Sequence, residues 1–332
     1  MKKIIKDMIS EKDKTMPILS FPSTSLTLSS VLELVTNSKK QVEGMSAILN
    51  RCKVSAALNM MDLSVEAEAF GAEIKYSAQE IPTVTKGIIS DISEVNEVLI
   101  PPVGKGRTGI YIEGVRLAKQ QISEVPVFCG VIGPYSLSGR LYDMTELMMA
   151  CYDDEESVHK LLEKCTTFII NYINAFKKVG ADGVIMAEPA AGLLSPTLCE
   201  EFSNRYVKRI FEEVNDEDFV LVYHNCGNTI PLIPSIKELG ADIYHFGNAV
   251  DMEEVLKRMP SDVIVMGNIN PVDFRNSTKD KIYSSSIDLL TRCSVYPNFI
   301  ISSGCDIPFD SDWDNIDAYF EAVKDYYCEN IS

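Results

Sequence analysis

The chain has 332 residues, of which 46% are hydrophobic and 24% charged, and its formal net charge is −17. This composition supports a large buried core, whereas the negative charge and the lack of a long apolar run disfavour nucleic acid and membranes as partners. Nine scattered Cys residues and an N-terminus without an apolar signal segment favour a reducing compartment, so we expect a cytoplasmic protein.

The first part of the chain predicts strands separated by several helices. Short apolar runs predict strands at 16–21, 72–76 and 126–131. Helical patterns cover about 28–37, 41–57, 62–70 and 111–122. Residues 101–109 are rich in Pro and Gly and predict a loop. Its charged residues and Gly amides would suit an anion, although a solvated loop is the simpler interpretation.

Two helices follow the strand at 126–131, and from residue 183 onwards strands and helices alternate regularly. Strands are predicted at 183–189, 219–223, 242–246, 263–266 and 299–301. Helices are predicted at about 137–151, 154–179, 195–214, 230–239, 251–259, 271–276, 279–294 and 313–327. Eight apolar strands alternating with helices predict an α/β fold, a (β/α)8 TIM barrel. We expect a single domain over 1–332, with additional N-terminal helices within about 1–70.

Metal-ligating residues follow two of the predicted strands. His224 and Cys226 are two residues apart at the end of an apolar run, so on a strand their side chains face the same side. Cys305 follows the last strand. In a barrel both strand ends lie at the catalytic rim. One His and two Cys leave a fourth zinc position for substrate, as in catalytic zinc sites.

Other polar residues are predicted at the same rim. Glu188 ends its strand, where a carboxylate would bind a ligand, orient a metal-bound His or transfer a proton; a solvated rim residue is the alternative. Asn228 lies behind the same strand as His224, Asn268 follows the strand at 263–266, and both are candidate substrate-binding residues. Most of the remaining Cys residues are interpreted as small apolar core residues.

The stretch His224-Asn225-Cys226-Gly227-Asn228, followed by Gly304-Cys305, resembles the His-x-Cys…Cys zinc motif of cobalamin-dependent methyltransferases. These enzymes form the methylcobamide:coenzyme M methyltransferase branch of the uroporphyrinogen decarboxylase superfamily. Stretches at 65–71, 133–137 and 180–190 support the resemblance, which runs over about 17–327. It implies a TIM barrel, Zn²⁺ held by His224, Cys226 and Cys305, a thiol acceptor such as coenzyme M, and a methylcobamide donor carried by a corrinoid protein.

Two departures from the family pattern bear on the function. Where the coenzyme M enzymes have acidic residues near the metal, this chain has His245, which the resemblance implies as a fourth ligand or a hydrogen-bond donor beside the zinc, with a catalytic role. The first strand runs into Phe21-Pro22-Ser23-Thr24 without the Arg that porphyrin decarboxylation needs. A metal-free lyase of the decarboxylase type and a non-catalytic corrinoid-binding accessory protein remain alternatives.

Overall fold

The structure is a computed structural model that describes residues 1–10 and 13–329. In these residues, seven strands form one parallel sheet in the order β1-β4-β5-β6-β7-β8-β9, and β2 and β3 form a separate antiparallel hairpin. The strands are β1 (Ala57–Leu58), β2 (Glu73–Lys75), β3 (Thr83–Lys86), β4 (Val127–Ile132), β5 (Gly183–Ala187), β6 (Val220–Asn225), β7 (Ile243–Phe246), β8 (Ile264–Ile269) and β9 (Phe299–Ser303).

Helices connect the strands. The α-helices span Lys3–Ser10, Ser23–Thr27, Val31–Thr36, Ser38–Arg51, Val65–Phe70, Thr108–Gln121, Pro134–Leu141, Met144–Asp153, Glu155–Lys178, Pro196–Cys199, Arg205–Val214, Ile233–Ile236, Met252–Arg258, Asp273–Asn276, Lys279–Cys293 and Trp313–Glu329. Shorter 3₁₀ segments lie at Ile92–Glu97, Pro189–Leu193 and Ile230–Leu232, and a π-helical turn lies at Glu200–Asn204. Parallel neighbours require such crossovers, which cover the outer face of the sheet with helices.

The sheet is curled, and its two faces have separate apolar cores. On β5, Ile185 and Ala187 belong to the inner core, whereas Val184 and Met186 belong to the outer core beneath the helices. The strands are therefore buried on both faces, as their continuous apolar runs predict. The predicted pairing of the strand that contains Ile185 with the strand that contains Val222 is confirmed.

The segment predicted as the first strand lies between the two edges of the sheet. The amide of Met16 donates to the carbonyl of Ile301 on β9 at 3.2 Å, and the amide of Ser55, just before β1, donates to the carbonyl of Thr15 at 2.9 Å. Only a bridge between Thr15 and Ile301 forms, so the prediction of a regular strand at 16–21 is wrong. Pro17 has no N–H to donate, which interrupts the hydrogen-bond ladder.

The prediction of a barrel strand at 72–76 is also wrong. Glu73–Lys75 pairs with Thr83–Lys86 in the hairpin outside the main sheet, and Glu73 and Lys75 are exposed. The sheet instead contains Ala57–Leu58, which the sequence pattern assigned to the end and flank of a helix. Two residues are too few to show the period of a strand.

Candidate metal centre

The candidate site lies where the parallel strands end. His224 is the penultimate residue of β6, Cys226 follows that strand directly, and Cys305 comes two residues after β9. Since β6 and β9 are parallel, both ends lie at the same edge of the curled sheet. Val220 and Val222 face the inner core, and strand alternation places His224 on that same side.

The structure brings the three predicted ligands together. The ligand atoms of His224, Cys226 and Cys305 all lie within 4.8 Å of one another. The Sγ atom of Cys305 is 3.6 Å from Nε2 of His224. A tetrahedral zinc with ordinary Zn–S and Zn–N bonds separates a sulfur and a nitrogen ligand by about 3.6 Å. The donor set and its spacing therefore fit a zinc ion.

The two thiols of the cluster differ from the buried Cys residues elsewhere. Burial raises the pKa of Cys52, Cys199 and Cys293 to about 12. In the cluster, the hydrogen bond with the Cys305 thiol lowers the pKa of Cys226, and the same contact together with burial raises the pKa of Cys305. A metal that binds both sulfurs would release their protons.

A chain of hydrogen bonds sets the orientation of the His224 ring. His245 is fully buried on the adjacent strand β7, directly opposite His224. Its Nε2 lies 2.8 Å from the carbonyl oxygen of Ser303 and 2.9 Å from Oγ of Ser302, whose own hydrogen is donated to the carbonyl of Met16. Both neighbours therefore accept, so Nε2 of His245 carries the proton.

The tautomer of His224 follows from that of His245. Burial lowers the pKa of His245 well below its usual value, so the ring is neutral and its Nδ1 is an acceptor. The Nδ1 of His224 lies 2.6 Å away and must be the donor. The lone pair of His224 then sits on Nε2, the atom that faces Cys305. Such a contact fixes the ring and raises its basicity as a ligand.

His245 therefore lies beside the cluster and not within it. Both ring nitrogens are engaged, one with His224 and the other with Ser303, so the geometry does not suit the expected fourth ligand. It accepts a hydrogen bond from His224, which differs from the expected donor role. The sequence could not reveal this contact, because it depends on the pairing register of β6 and β7.

Glu188 is not part of the cluster. It follows Ala187, which faces the inner core, so its side chain points to the opposite face of the sheet. The carboxylate accepts the amides of Tyr135 at 2.9 Å and Ser136 at 2.6 Å, at the start of helix Pro134–Leu141. Burial raises the pKa of Glu188 to about 7. The carboxylate thus binds a helix N-terminus, and its expected catalytic role stays a prediction.

The two Asn residues have different surroundings. The side-chain amide of Asn268 donates to the carbonyl oxygens of Gly247 and Val250, so it ties the end of β8 to the loop after β7. Asn228 is exposed in the loop after β6. These surroundings do not test whether Asn228 and Asn268 bind substrate, and that role stays a prediction.

One polar group beside the cluster was not singled out from the sequence. Asp306, next to Cys305, has a buried Oδ2 without a partner among the described residues, and its other oxygen accepts from Ser20 at 3.4 Å. Burial raises the pKa of Asp306. In the loop 101–109, the guanidinium of Arg107 is buried against the carboxylates of Asp62 and Glu68, so it is not free to bind an external anion.

Comparison with known proteins gives both a family and relatives. The uroporphyrinogen decarboxylase (URO-D) family matches residues 19–326. The methylcobamide:CoM methyltransferase MtbA of Methanosarcina acetivorans is 25% identical over 270 residues, which cover 80% of this chain and 78% of that protein. The uroporphyrinogen decarboxylase of Coxiella burnetii is 25% identical over 301 residues, which cover 85% and 80%.

The fold has a counterpart among solved structures. A methyltransferase from Methanosarcina mazei superposes with a TM-score of 0.87 over 98% of both chains, at 20% sequence identity. Its likeness supports the architecture described above. Among the described residues, no helix combines the length and the apolar content needed to cross a membrane.

Proposed function

The chain belongs to the uroporphyrinogen decarboxylase family, and from that premise we propose that it transfers a methyl group from a methylated corrinoid to a thiol. In this proposal His224, Cys226 and Cys305 hold one zinc ion, and a partner protein carries the corrinoid. The observation that carries the proposal is the convergence of one imidazole and two thiols within 4.8 Å at the rim.

The chemistry of these ligands suits the activation of a thiol. A free thiol has a pKa near 8.5 and is mostly protonated at neutral pH. Zinc bound here would lower that pKa and hold the acceptor as a nucleophilic thiolate in the position that the three protein ligands leave open. Cys226 and Cys305 would bind zinc as thiolates, which would make the site electron-rich. His245 holds the ring of His224 in the orientation that such a site needs.

The proposed transfer balances in atoms and electrons. The acceptor would lose its proton to solvent as it binds, and its sulfur lone pair would form the new bond to the methyl carbon. The bond between cobalt and that carbon breaks, and its electron pair stays with the cobalt of the corrinoid. The donor is a substrate in this scheme, so the rim must remain accessible to a corrinoid or to the protein that carries it.

Two observations favour methyl transfer over decarboxylation. The His-Cys-Cys cluster has no purpose in a metal-free lyase, and the segment from Met16 to Thr24 contains no Arg to bind a porphyrin carboxylate. The relative named a methylcobamide:CoM methyltransferase supports the same choice. The relatives also include decarboxylases, so the dependence on the cluster decides between the two activities.

We extend the proposal to the architecture. The segment 15–18 bonds to both edges of the curled sheet, and we propose that it closes a (β/α)8 barrel as an eighth, irregular strand. The chain 1–332 would then form a single domain, with the helices before β1 as its N-terminal elaboration.

The activity is tested with purified, zinc-loaded protein, methylcobalamin and a panel of small thiols. Demethylation of the cobalamin is followed by absorbance, and the native corrinoid protein is added once identified. We expect demethylation that requires both zinc and a thiol, and that is lost in Cys226→Ser. Cys293→Ser is the matched control and should keep the activity, because it changes a fully buried thiol at the end of helix Lys279–Cys293.

Three results would argue against zinc-dependent methyl transfer. Demethylation that does not depend on zinc would separate the reaction from the cluster. Corrinoid binding without demethylation, with either donor and across the whole panel, would favour an accessory protein. Decarboxylation of a porphyrin by the metal-free protein would favour the lyase.

A further inference from the structure

The two thiols of the cluster are more accessible than most thiols of this chain. Of the nine Cys residues, Cys226 and Cys305 are partly exposed at the rim, and Cys328 is exposed on helix Trp313–Glu329. The other six are buried, namely Cys52, Cys129, Cys151, Cys165, Cys199 and Cys293. A small oxidant in solvent attacks exposed sulfurs before buried ones. Oxidation is therefore directed to the cluster and to Cys328.

Cys226 and Cys305 are also close enough to react with each other. Their Sγ atoms lie within 4.8 Å, and the two thiols share a hydrogen bond. A disulfide needs its sulfurs about 2.05 Å apart, so the two atoms would approach each other by less than about 3 Å. Because the two residues follow different strands, β6 and β9, this proximity is a property of the folded chain.

Backbone packing holds the two Cys residues near each other. Cys226 packs against Gly247, where an added Cβ would lie 2.5 Å from the Cα of Cys226. Gly304, beside Cys305, packs against Asn248, and a Cβ added to Gly304 would lie 2.7 Å from the backbone nitrogen of Asn248. Real Cβ atoms essentially never come that close. The loops after β6 and β9 thus both pack tightly against the loop after β7, and these contacts do not depend on a metal.

We propose that Cys226 and Cys305 form a reversible disulfide when zinc is absent and a peroxide is present. This inference rests on the proposed zinc site, because it concerns the same two sulfurs, but not on the methyl transfer. Thiols that sense oxidants are accessible and lie beside a second Cys that reacts with the oxidised one. Disulfides that form in a reducing compartment are usually transient and regulatory, which suits a site that is switched on and off.

The oxidation balances in atoms and electrons. One sulfur attacks an oxygen of hydrogen peroxide, the O–O bond breaks and water leaves, so that this sulfur becomes a sulfenic acid. The other sulfur attacks the sulfenic acid, the S–O bond breaks, and a second water leaves as the S–S bond forms. The pair of thiols gives up two electrons and two protons, and the peroxide takes them up. A dithiol such as dithiothreitol reverses the reaction by thiol–disulfide exchange.

The disulfide would switch off the metal site. It occupies the sulfurs of two of the three proposed ligands, and zinc binds Cys only as the thiolate. Conversely, a zinc ion bound to both sulfurs would keep them from the peroxide. Zinc and the disulfide therefore exclude each other, and the fraction of chains that can bind zinc follows the balance between peroxide and reducing thiols.

The inference is tested by mapping disulfides after treatment of the full chain with hydrogen peroxide. Every sample carries Cys328→Ser, which removes the exposed thiol that would link two chains. The metal-free protein should lose two thiols, and mass spectrometry after non-reducing digestion should find the peptide of Cys226 joined to the peptide of Cys305. The zinc-loaded protein should keep both thiols. Dithiothreitol should restore the thiols of the oxidised protein and its capacity to bind zinc, as measured by elemental analysis.

Three variants make the result specific. Cys226→Ser and Cys305→Ser should each abolish the linked peptide, because the remaining sulfur has lost its partner. Cys293→Ser is the matched control, since it changes a buried thiol at the end of helix Lys279–Cys293, and the linked peptide should form as in the parent protein. A folded metal-free protein that keeps both thiols, or that links a different pair of Cys residues, would overturn the inference.

The same samples distinguish this inference from the proposed function. Equal oxidation of the metal-free protein and of a protein shown to carry zinc at the cluster would overturn the proposed exclusion. A reduced protein that binds no zinc would instead count against the proposed metal centre, and the linked peptide would still assign the disulfide. Absence of demethylation would count against the methyl transfer and would leave the disulfide result unchanged.

Discussion

Replacing His245 with Ala tests whether the hydrogen-bond chain behind the cluster controls metal affinity. The ring is fully buried, with Nδ1 2.6 Å from Nδ1 of His224 and Nε2 2.8 Å from the carbonyl oxygen of Ser303. Its removal leaves one buried donor and one buried acceptor unpaired, each at a cost of about 1–3 kcal/mol. It also frees the ring of His224 to turn away from the cluster.

The expected loss of zinc affinity is about 10–100-fold, the usual effect of removing a partner of a ligating His. That range equals about 1.4–2.8 kcal/mol at 25 °C. His245→Gln, which retains a donor and an acceptor, should lose less. The dissociation constant is measured by competition with a chromophoric chelator, alongside circular dichroism to verify the fold.

Tyr244→Phe is the matched control for His245→Ala. Tyr244 precedes His245 on β7, faces the outer core, and its hydroxyl donates to the carbonyl of Lys237 at 3.2 Å. The variant removes one hydrogen bond from the same strand on the other face, so zinc affinity should not change. A folded His245→Ala protein that binds zinc as tightly as the wild type would refute the assigned tautomers and their role.

Three further changes probe the ligands, the helix cap and the buried ion network. Cys226→Ser should remove most of the zinc found by elemental analysis, because a hydroxyl is a far poorer ligand than a thiolate, and unchanged stoichiometry would exclude Cys226 as a ligand. Burial raises the pKa of Glu188 from its usual 4.5 to about 7 in the folded protein. The contribution of Glu188 to stability is therefore complete below pH 4.5 and is lost as the pH rises through about 7. Between about pH 5 and pH 8, the free energy of unfolding in urea should therefore fall by about 3 kcal/mol relative to Glu188→Gln; parallel pH dependences would contradict this. Arg107→Met leaves two carboxylates without their counter-charge and should lower the free energy of unfolding by about 3–5 kcal/mol in the same assay. Arg116→Met, which changes an exposed Arg, should lower it by less than about 0.5 kcal/mol. Equal losses for the two variants would show that the buried network adds no stability.

The sequence predicted the metal cluster better than its surroundings. The spacing of His224 and Cys226 on an apolar strand placed both on one face, and the parallel topology brought Cys305 to the same edge. Strand alternation also contained the information that Glu188 faces outward, because Ile185 and Ala187 occupy the inward positions. The contact between His245 and His224 depends on the register of two strands, which spacing along the chain does not determine.

The first strands of the main sheet were the least predictable part of the fold. The apolar stretch at 72–76 resembles a strand in composition, but Glu73 and Lys75 are exposed and the segment pairs locally with Thr83–Lys86. The sheet takes Ala57–Leu58 instead, a strand too short for any periodicity.

The central claim is that the acceptor sulfur binds a zinc ion held by His224, Cys226 and Cys305. X-ray absorption at the zinc edge of the purified protein measures this directly, with and without an acceptor thiol. The account predicts two sulfur ligands in the protein alone, and three when the thiol is bound, since the ligand set leaves one position open. A sulfur count that does not change on addition of a thiol that supports methyl transfer would contradict it.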